Sequence, residues 1–275
     1  MLDIRLVASD VDGTMLPRGG VISENLRRAI RGLRERNIPF IISSGRWIGA
    51  LSDIVRQCGA EGLPMIIANG AAVIGPDGAP MREWPLDAAD VRRVYDILRQ
   101  FDIQINGYVR NGLYCLNTKA LHRPSSMIRD YIGAGHARLS VDDPAAFEAD
   151  VLPGAYKLEG LVEDADLIAR VREALTGTGL AVTHSSWRNV EIMAPGTGKG
   201  AALRWLAGEL GVPLERCMAF GDNANDLDML SAVGWPVAVG NADAEVKAMA
   251  RIVAASDADD GVAQTLFSEV LEASL

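Results

Sequence analysis

The sequence predicts an α/β fold in which a doubly wound, mostly parallel sheet is interrupted by an inserted α+β domain. Two observations predict the core: short apolar runs alternate with helical periodicity at both ends of the chain, and polar loops follow those runs directly. A third observation predicts the insertion, because helix and strand patterns mix without this alternation between residues 84 and 187. We therefore expect a core domain formed by residues 1–83 and 188–275, with an inserted domain at residues 84–187.

Length and composition are typical of a folded protein with two domains, since the 275 residues are 49% hydrophobic and 23% charged. The net charge of −9 argues against a nucleic acid or an anionic membrane as partner. No apolar run is long enough to span a membrane, and the first residues lack the features of a signal peptide. The three cysteines are widely spaced and form no C-x-x-C pair, which predicts free thiols and a cytoplasmic location.

The first apolar run, residues 4–8, is followed closely by the sequence D-V-D-G-T at residues 10–14. Ligands of open α/β sheets bind beyond the carboxyl ends of the strands, so both acids stand where a site is expected. Asp10 and Asp12 can face the same side of an extended chain, and Gly13 permits a sharp turn after them. Two carboxylates this close favour either a bound cation or one retained proton.

This acidic stretch has two other interpretations. Asp and Gly are common turn residues, so an isolated D-x-D-G sequence can be an ordinary turn. A calcium-binding EF-hand loop is excluded by spacing, because a loop starting at Asp10 would need Gly and Glu where the chain has Met15 and Val21. The functional interpretation therefore depends on partners at the ends of later strands.

Helix and strand alternate through the rest of the first third. Ser23 can cap an amphipathic helix, and the apolar run at residues 40–42 follows it as the second strand. This strand leads into S-S-G-R at residues 43–46, and the periodicity after it predicts a helix whose N-terminus would favour an anion. A capping serine with a surface arginine is the structural alternative. A third strand is predicted at residues 65–68, and residues 69–78 predict a turn and a small hairpin.

After the inserted domain, the run at residues 189–193 predicts that the alternation of the core resumes. The sequence G-T-G-K-G at residues 196–200 is not a P-loop, because Gly200 stands where a P-loop has the magnesium-binding Ser or Thr. Lys199, at the start of a predicted helix, can direct its ammonium group toward a phosphoryl group. A surface lysine in a glycine-rich turn is the structural alternative.

A second acidic loop, G-D-N-A-N-D at residues 221–226, follows the strand predicted at residues 218–220. Its Asp222, Asn225 and Asp226 side chains stand at the mouth of a predicted helix. Such a set of oxygen donors suits a hard cation.

Together, residues 10–14, residues 44–46, Lys199 and residues 221–226 resemble, in order and role, the four motifs of the haloacid dehalogenase (HAD) superfamily of phosphohydrolases. The sequence V-A-V-G-N-A at residues 237–242 is similar to the Cof-type subfamily, whose cap lies between the second and third motifs. The resemblance implies a Rossmann-like core domain that carries a type IIB cap. The inserted domain matches such a cap only in size and place.

The resemblance also implies an activity: a Mg²⁺-dependent phosphatase that hydrolyses small phosphate monoesters, such as sugar phosphates, through an aspartyl-phosphate intermediate. Asp10 would be the nucleophile, and Asp12 would protonate the leaving alcohol and later take a proton from water. The implied magnesium ligands are Asp10, the backbone carbonyl of Asp12, and Asp222, with Asp226 in a supporting position.

The resemblance assigns two further sets of residues. The phosphoryl-binding set comprises Ser44, Gly45, Lys199 and Asn225, where electrostatic stabilisation would do most of the catalytic work. The candidates for contact with the rest of the substrate are Arg46, His184 and Asn241.

The expected partner is a small phosphorylated metabolite, with no nucleic acid and no membrane, and the expected state is a monomer or a small homo-oligomer. Two alternatives remain open. A phosphomutase of the same superfamily would share the core motifs, and a phosphoacceptor signalling module would hold an aspartyl-phosphate without turnover. The inserted domain and the acid-base role available to Asp12 favour the hydrolase.

Overall fold

The computed structural model describes residues 2–17, 19–110, 112–121 and 138–271. The chain divides into two compact units. The first unit comprises Met1–Gly45, Leu51–Arg82 and Gly198–Leu275, and the second comprises Arg46–Ala50 and Glu83–Thr197. The short segment Arg46–Ala50 therefore belongs with the second unit, although its neighbours in sequence belong with the first.

The strands, in chain order, are β1 (Leu6–Ser9), β2 (Phe40–Ser43), β3 (Met65–Ile67), β4 (Ala72–Ile74), β5 (Pro80–Glu83), β6 (Leu86–Asp87), β7 (Gln104–Val109), β8 (Gly112–Leu116), β9 (Arg138–Val141), β10 (Gly154–Ala155), β11 (Lys157–Leu161), β12 (Ala181–Thr183), β13 (Asn189–Met193), β14 (Cys217–Gly221), β15 (Trp235–Ala238) and β16 (Ile252–Val253).

The α-helices are α1 (Glu24–Glu35), α2 (Ser52–Cys58), α3 (Ala88–Leu98), α4 (Pro144–Asp150), α5 (Ala165–Ala174), α6 (Lys199–Glu209), α7 (Leu227–Ala232), α8 (Ala244–Met249) and α9 (Gly261–Thr265). None of the helices in the described part of the chain has both the length and the apolar character that a membrane span requires.

The sheet of the first unit has the order β16-β15-β14-β1-β2-β3-β4-β5. Its strands run parallel from β16 to β3, and β4 turns back antiparallel to β3. The central strands are apolar and buried, as expected for strands covered on both faces. The Oγ of Ser23 accepts the amide of Leu26 at 2.9 Å, which confirms the predicted cap of α1.

The topology of this sheet brings three loops to one edge. Strands β14, β1 and β2 are neighbours and run parallel, so the residues that follow Gly221, Ser9 and Ser43 leave the sheet at the same edge. In a doubly wound sheet this edge is where ligands bind. The two acidic loops and residues 44–45 therefore meet at one place.

The second unit contains a six-stranded sheet of order β12-β13-β11-β7-β8-β9. One face packs its apolar side chains with those of α3, α4 and α5 in a single cluster. Glu159 shows that side chains on the opposite face are polar and buried: its carboxylate accepts hydrogen bonds from Asn106, Tyr108 and Asn189. Beside it, Lys157 pairs with Glu191 at 2.6 Å.

The prediction that residues 189–193 resume the parallel core was wrong. They form β13, which pairs antiparallel with β11 and β12 in the second sheet. The reason is visible in the alternation of the strand: Val190 and Ile192 join the apolar cluster, while Asn189 and Glu191 join the polar network. The chain returns to the first unit only at Gly198.

Candidate active site

The site is centred on Lys199, the first residue of α6, whose side chain is fully buried. Its Nζ lies 2.5 Å from Oδ1 of Asp10 and 2.7 Å from Oδ1 of Asp226. Asp10 follows β1 directly, and its amide donates to the carbonyl of Phe220 in the neighbouring strand β14 at 3.0 Å. One ammonium group therefore joins the first acidic loop to the second, as the predicted convergence requires.

The second carboxylate oxygen of Asp226 fixes its own loop. Oδ2 accepts the backbone amides of Asp222 at 3.0 Å and of Asn223 at 3.2 Å. Both oxygens of this fully buried side chain are thus engaged with the protein. We infer that Asp226 acts mainly by holding the loop and Lys199 in place.

Three buried carboxylates lie close enough to share a metal ion. One oxygen each from Asp10, Asp222 and Asp226 lies within 4.8 Å of the others. Oγ1 of Thr14 donates to Oδ1 of Asp222 at 3.0 Å. The side chain of Asp12 is exposed, and its carboxylate is not one of the three in this cluster.

Gly13 is required where the two acidic loops touch. Its φ of +83° is in the left-handed region, and a Cβ at this position would lie 2.6 Å from Oδ2 of Asp222. A residue with a Cβ would both strain the turn and collide with the Asp222 carboxylate.

Burial and neighbouring charge set the protonation of this cluster. Burial raises the pKa of Asp10 well above its ordinary value, the Lys199 ammonium opposes this, and the carboxylates of Asp226, Asp222 and Asp12 add to the rise. Burial lowers the pKa of Lys199, but Asp10 and Asp226 more than offset this and the net shift is upward. Lys199 is therefore a permanent cation. The cluster contains three carboxylates, of which two contact the single ammonium, so a hard divalent cation with oxygen ligands fits the site.

The predicted phosphoryl-binding residues Ser44, Gly45 and Asn225 all contact one residue, Asn69. The carbonyl of Ser44 accepts the amide of Asn69 at 3.0 Å. A Cβ on Gly45 would lie 2.8 Å from Oδ1 of Asn69, and this same oxygen accepts Nδ2 of Asn225 at 3.1 Å. The structure thus brings the second motif next to the fourth.

The helix expected immediately after Ser44 and Gly45 is not formed there. Residues Ile48–Ala50 form a short 3₁₀ turn, and α2 begins only at Ser52. These two residues therefore do not stand at a helix N-terminus, and their anion-binding capacity rests on the hydroxyl and the backbone amides alone.

Two of the three expected substrate-contacting residues, Arg46 and His184, are half-buried and belong to the second unit. Asn241 lies in the first unit, where its Nδ2 donates to the carbonyl of Gly13 at 2.7 Å and its Oδ1 accepts the amide of Asp257 at 2.9 Å. Both ends of this side-chain amide bind backbone groups, so Asn241 supports the loop that carries Asp10.

Sequence reasoning missed Asn69, Thr14 and Asp228. Asn69 was interpreted only as a turn residue, although the N-G sequence follows a core strand at the ligand-binding edge. Asp228 lies two residues beyond the acidic loop, and its carboxylate accepts the backbone amide of Gly200 at 2.8 Å, which fixes the start of α6. No motif distinguishes Asp228 in the sequence, because this contact joins positions 28 residues apart.

The model of the haloacid dehalogenase-like hydrolase family matches residues 7–266. A Bacillus subtilis (strain 168) protein named 5-amino-6-(5-phospho-D-ribitylamino)uracil phosphatase YcsE is 30% identical over 98% of this chain and 97% of its own length. A protein of Klebsiella pneumoniae (strain 342) named HMP-PP phosphatase is 28% identical, covering 89% of this chain and 87% of that protein.

Among solved structures, the HAD subclass IIB sugar phosphatase BT4131 is similar with a TM-score of 0.82, covering 96% of this chain and 98% of that one. At 16% identity this likeness shows the fold, and it confirms the predicted α/β core with an inserted α+β domain. Since the family model covers most of the sequence and a relative matches nearly its full length, the chain belongs to the haloacid dehalogenase-like hydrolases and is a phosphoric monoester hydrolase.

Proposed function

We propose that the protein is a Mg²⁺-dependent phosphatase that hydrolyses small phosphate monoesters through an aspartyl-phosphate on Asp10. One observation carries the proposal: Asp10, Lys199, Asp222 and Asp226, which are far apart in the sequence, meet in one buried cluster at the ligand-binding edge of the sheet. An ammonium group beside a carboxylate nucleophile provides the positive charge that stabilises the negative oxygens of a phosphoryl group.

In the first step, an Oδ atom of Asp10 attacks phosphorus and the bond from phosphorus to the ester oxygen breaks. Asp12 gives its proton to the departing oxygen, so an alcohol leaves and Asp10 carries the phosphoryl group. In the second step, Asp12 takes a proton from water, which attacks phosphorus and releases inorganic phosphate and the Asp10 carboxylate. The exposure of Asp12 supports this role, because its side chain can exchange protons with solvent between the steps.

The remaining residues would bind charge. The Lys199 ammonium, the Ser44 hydroxyl, the Gly45 amide and the Asn225 amide group would surround the phosphoryl oxygens, on which negative charge is concentrated in the transition state. Asp226 would keep Lys199 oriented through the 2.7 Å contact.

The metal would be held by Asp10, the carbonyl of Asp12 and Asp222, with Asp226 supporting. When bound, Mg²⁺ would neutralise the carboxylates and the phosphoryl oxygens. The choice of Mg²⁺ rests on the all-oxygen donor set of the cluster.

We assign the second unit as the cap, which would exclude water and recognise the leaving group of the substrate. The substrate would be a small phosphorylated metabolite, a class supported by the two relatives, whose names give a phosphoribitylaminouracil and HMP-PP as substrates. We also propose a cytoplasmic monomer or small homo-oligomer. The cytoplasmic location is supported by three buried free thiols, Cys58, Cys115 and Cys217.

The test is a phosphate-release screen over p-nitrophenyl phosphate and a panel of phosphorylated metabolites, with Mg²⁺ and with a chelator. We expect multiple turnovers that need Mg²⁺, and a loss of at least about 10³-fold in Asp10→Asn, because that variant lacks the nucleophile. Equal activity in Asp10→Asn would reject the assigned nucleophile. Isomerised sugar phosphate without phosphate release would indicate a mutase, and a single turnover would indicate a phosphoacceptor.

A further inference from the structure

The segment Ala68–Gly70, which we call the left-handed corner, follows β3 at the ligand-binding edge of the first unit. All three residues have positive φ: 49° at Ala68, 54° at Asn69 and 91° at Gly70. Alanine in this region is strained, and such strain persists where the surroundings fix the backbone, most often at functional sites. Gly70 shows how tightly the corner is fixed, because a Cβ there would lie 2.1 Å from the carbonyl oxygen of Gly198.

The strained backbone places the Asn69 carboxamide among the residues assigned to the phosphoryl group. The side chain is 1% exposed. Its Oδ1 accepts a hydrogen bond from Nδ2 of Asn225 at 3.1 Å and lies next to the backbone of Gly45. The backbone N–H of Asn69 donates to the carbonyl of Ser44 at 3.0 Å. The same corner touches the residue before Lys199 through Gly70.

The other end of the carboxamide is a buried donor without an acceptor. Nδ2 of Asn69 has no hydrogen-bond partner among the residues that the structure describes. A buried N–H group that lacks an acceptor is costly, and such groups in folded proteins call for an explanation. A phosphoryl oxygen between Ser44 and Asn225 would be a fitting acceptor, since it is anionic and the amide adds no charge to a cluster that is already highly charged.

We propose that Asn69 is an additional phosphoryl-binding residue, in which Oδ1 fixes the amide of Asn225 and Nδ2 donates a hydrogen bond to an oxygen of the transferred phosphoryl group. This inference rests on the proposed phosphatase function. The strained corner then has a purpose, because a relaxed backbone would turn the carboxamide away from Asn225.

The test compares three variants by steady-state kinetics with p-nitrophenyl phosphate and by inhibition with inorganic phosphate. In Asn69→Gly the new residue adopts positive φ freely, so the substitution removes the carboxamide and leaves the backbone conformation in place. We expect both KM and the inhibition constant of phosphate to rise by roughly 10- to 100-fold, which corresponds to losing a hydrogen bond to a charged group. Ala68→Gly removes no polar group, and glycine adopts the same positive φ freely, so the corner keeps its conformation and we expect wild-type constants.

Asn69→Asp separates binding from positioning. It keeps an oxygen that can accept Nδ2 of Asn225 but replaces the donor with a carboxylate oxygen, so we expect no rescue and an inhibition constant at least as high as in Asn69→Gly. Near wild-type constants in Asn69→Asp, or in Asn69→Gly, would overturn the proposal. Thermal unfolding is measured in parallel to show that each variant folds. If Asn69→Gly does not fold, the constants of Asn69→Asp alone test the proposal.

Failure of the proposed function would be recognised separately. A wild-type protein that releases no phosphate from any ester would reject the phosphatase assignment. Calorimetric titration with inorganic phosphate in the presence of Mg²⁺ would still show whether Asn69 binds a phosphoryl group. Equal affinity in wild type and Asn69→Asp in that titration would reject the role of Asn69.

Discussion

Single side chains in this protein have their charge set by neighbours that lie far away in the sequence. Lys199 is the clearest case: it is fully buried, and it remains charged because Asp10 and Asp226 lie within 2.7 Å. The resemblance to the family motifs correctly predicted that Lys199 lies beside Asp10 and Asp226, because the motifs of a family are residues that lie together in its site. The motifs did not identify Asn69, because the position of its side chain depends on a backbone strain that the N-G sequence permits but does not dictate.

At the same scale, Tyr156 predicts a pH effect on stability. Its hydroxyl donates to Glu83, which also pairs with Arg110 at 2.6 Å. Burial, followed by the Glu83 carboxylate, raises the pKa of Tyr156 from 10.0 to about 12. The stabilisation is therefore complete below about pH 10 and is lost as the pH rises toward 12, because the unfolded chain ionises first.

Tyr156→Phe removes the ionisable hydroxyl, so its free energy of unfolding is expected to fall less steeply between pH 10 and pH 12 than that of the wild type. Urea unfolding at several pH values measures this. Tyr95→Phe leaves the contact with Glu83 intact and should keep the wild-type slope. Parallel curves for Tyr156→Phe and wild type would contradict the assignment.

The six-stranded sheet contains the strand, β13, that the hydrophobic pattern assigned to the wrong sheet. Strand β13 has apolar residues at alternate positions. This sequence pattern fits a strand of the parallel core, and it equally fits a strand with one apolar face and one buried polar face. What decides between them is pairing with β11, which supplies Lys157 to neutralise Glu191. Such a partner cannot be recognised from the strand alone, because it lies 34 residues away.

The buried pair predicts a stability effect within this element. Lys157→Met would leave the Glu191 carboxylate buried without its cation, so we expect a loss of about 3–5 kcal/mol in the free energy of unfolding. Lys119→Met, at an exposed position of the same unit, should change stability by less than about 0.5 kcal/mol. Denaturant titration compares them. Adding Glu191→Leu to Lys157→Met should restore part of the loss, and a double variant less stable than the single one would argue against the pair.

At the scale of the whole molecule, the order of the strands explains why the site was predictable at all. Because β14, β1 and β2 are parallel neighbours, motifs more than 200 positions apart in the sequence must leave the sheet together. Alternation of apolar runs with helices predicted a mostly parallel sheet, although it wrongly included residues 189–193 in the core. It could not show that Arg46–Ala50 belongs with the second unit, since membership depends on contacts rather than on local pattern.

The converging loops predict a stabilisation of the whole fold by metal. The proposed Mg²⁺ would bind only the folded cluster, so it should raise the free energy of unfolding, by about 2.7 kcal/mol at a hundredfold excess over its dissociation constant. Asp222→Asn should lose most of this gain. Asp12→Asn should keep it and lose turnover, because the Asp12 carboxylate lies outside the cluster. Thermal unfolding with and without Mg²⁺ measures both, and equal gains in Asp222→Asn and wild type would reject the metal site.

The grouping of Arg46–Ala50 bears on how modular this architecture is. The chain passes from one unit to the other after Gly45, Ala50, Arg82 and Thr197. In the short segment, the ring of Trp47 packs against the ring of Tyr156 at a tilt of 32°, with centroids 4.8 Å apart. A chimera that transplants only residues 83–197 from a homologue would confront Trp47 with a foreign surface. Recombination of specificity between such enzymes therefore has to carry two pieces of chain, and evolutionary change at Trp47 and Tyr156 should be correlated.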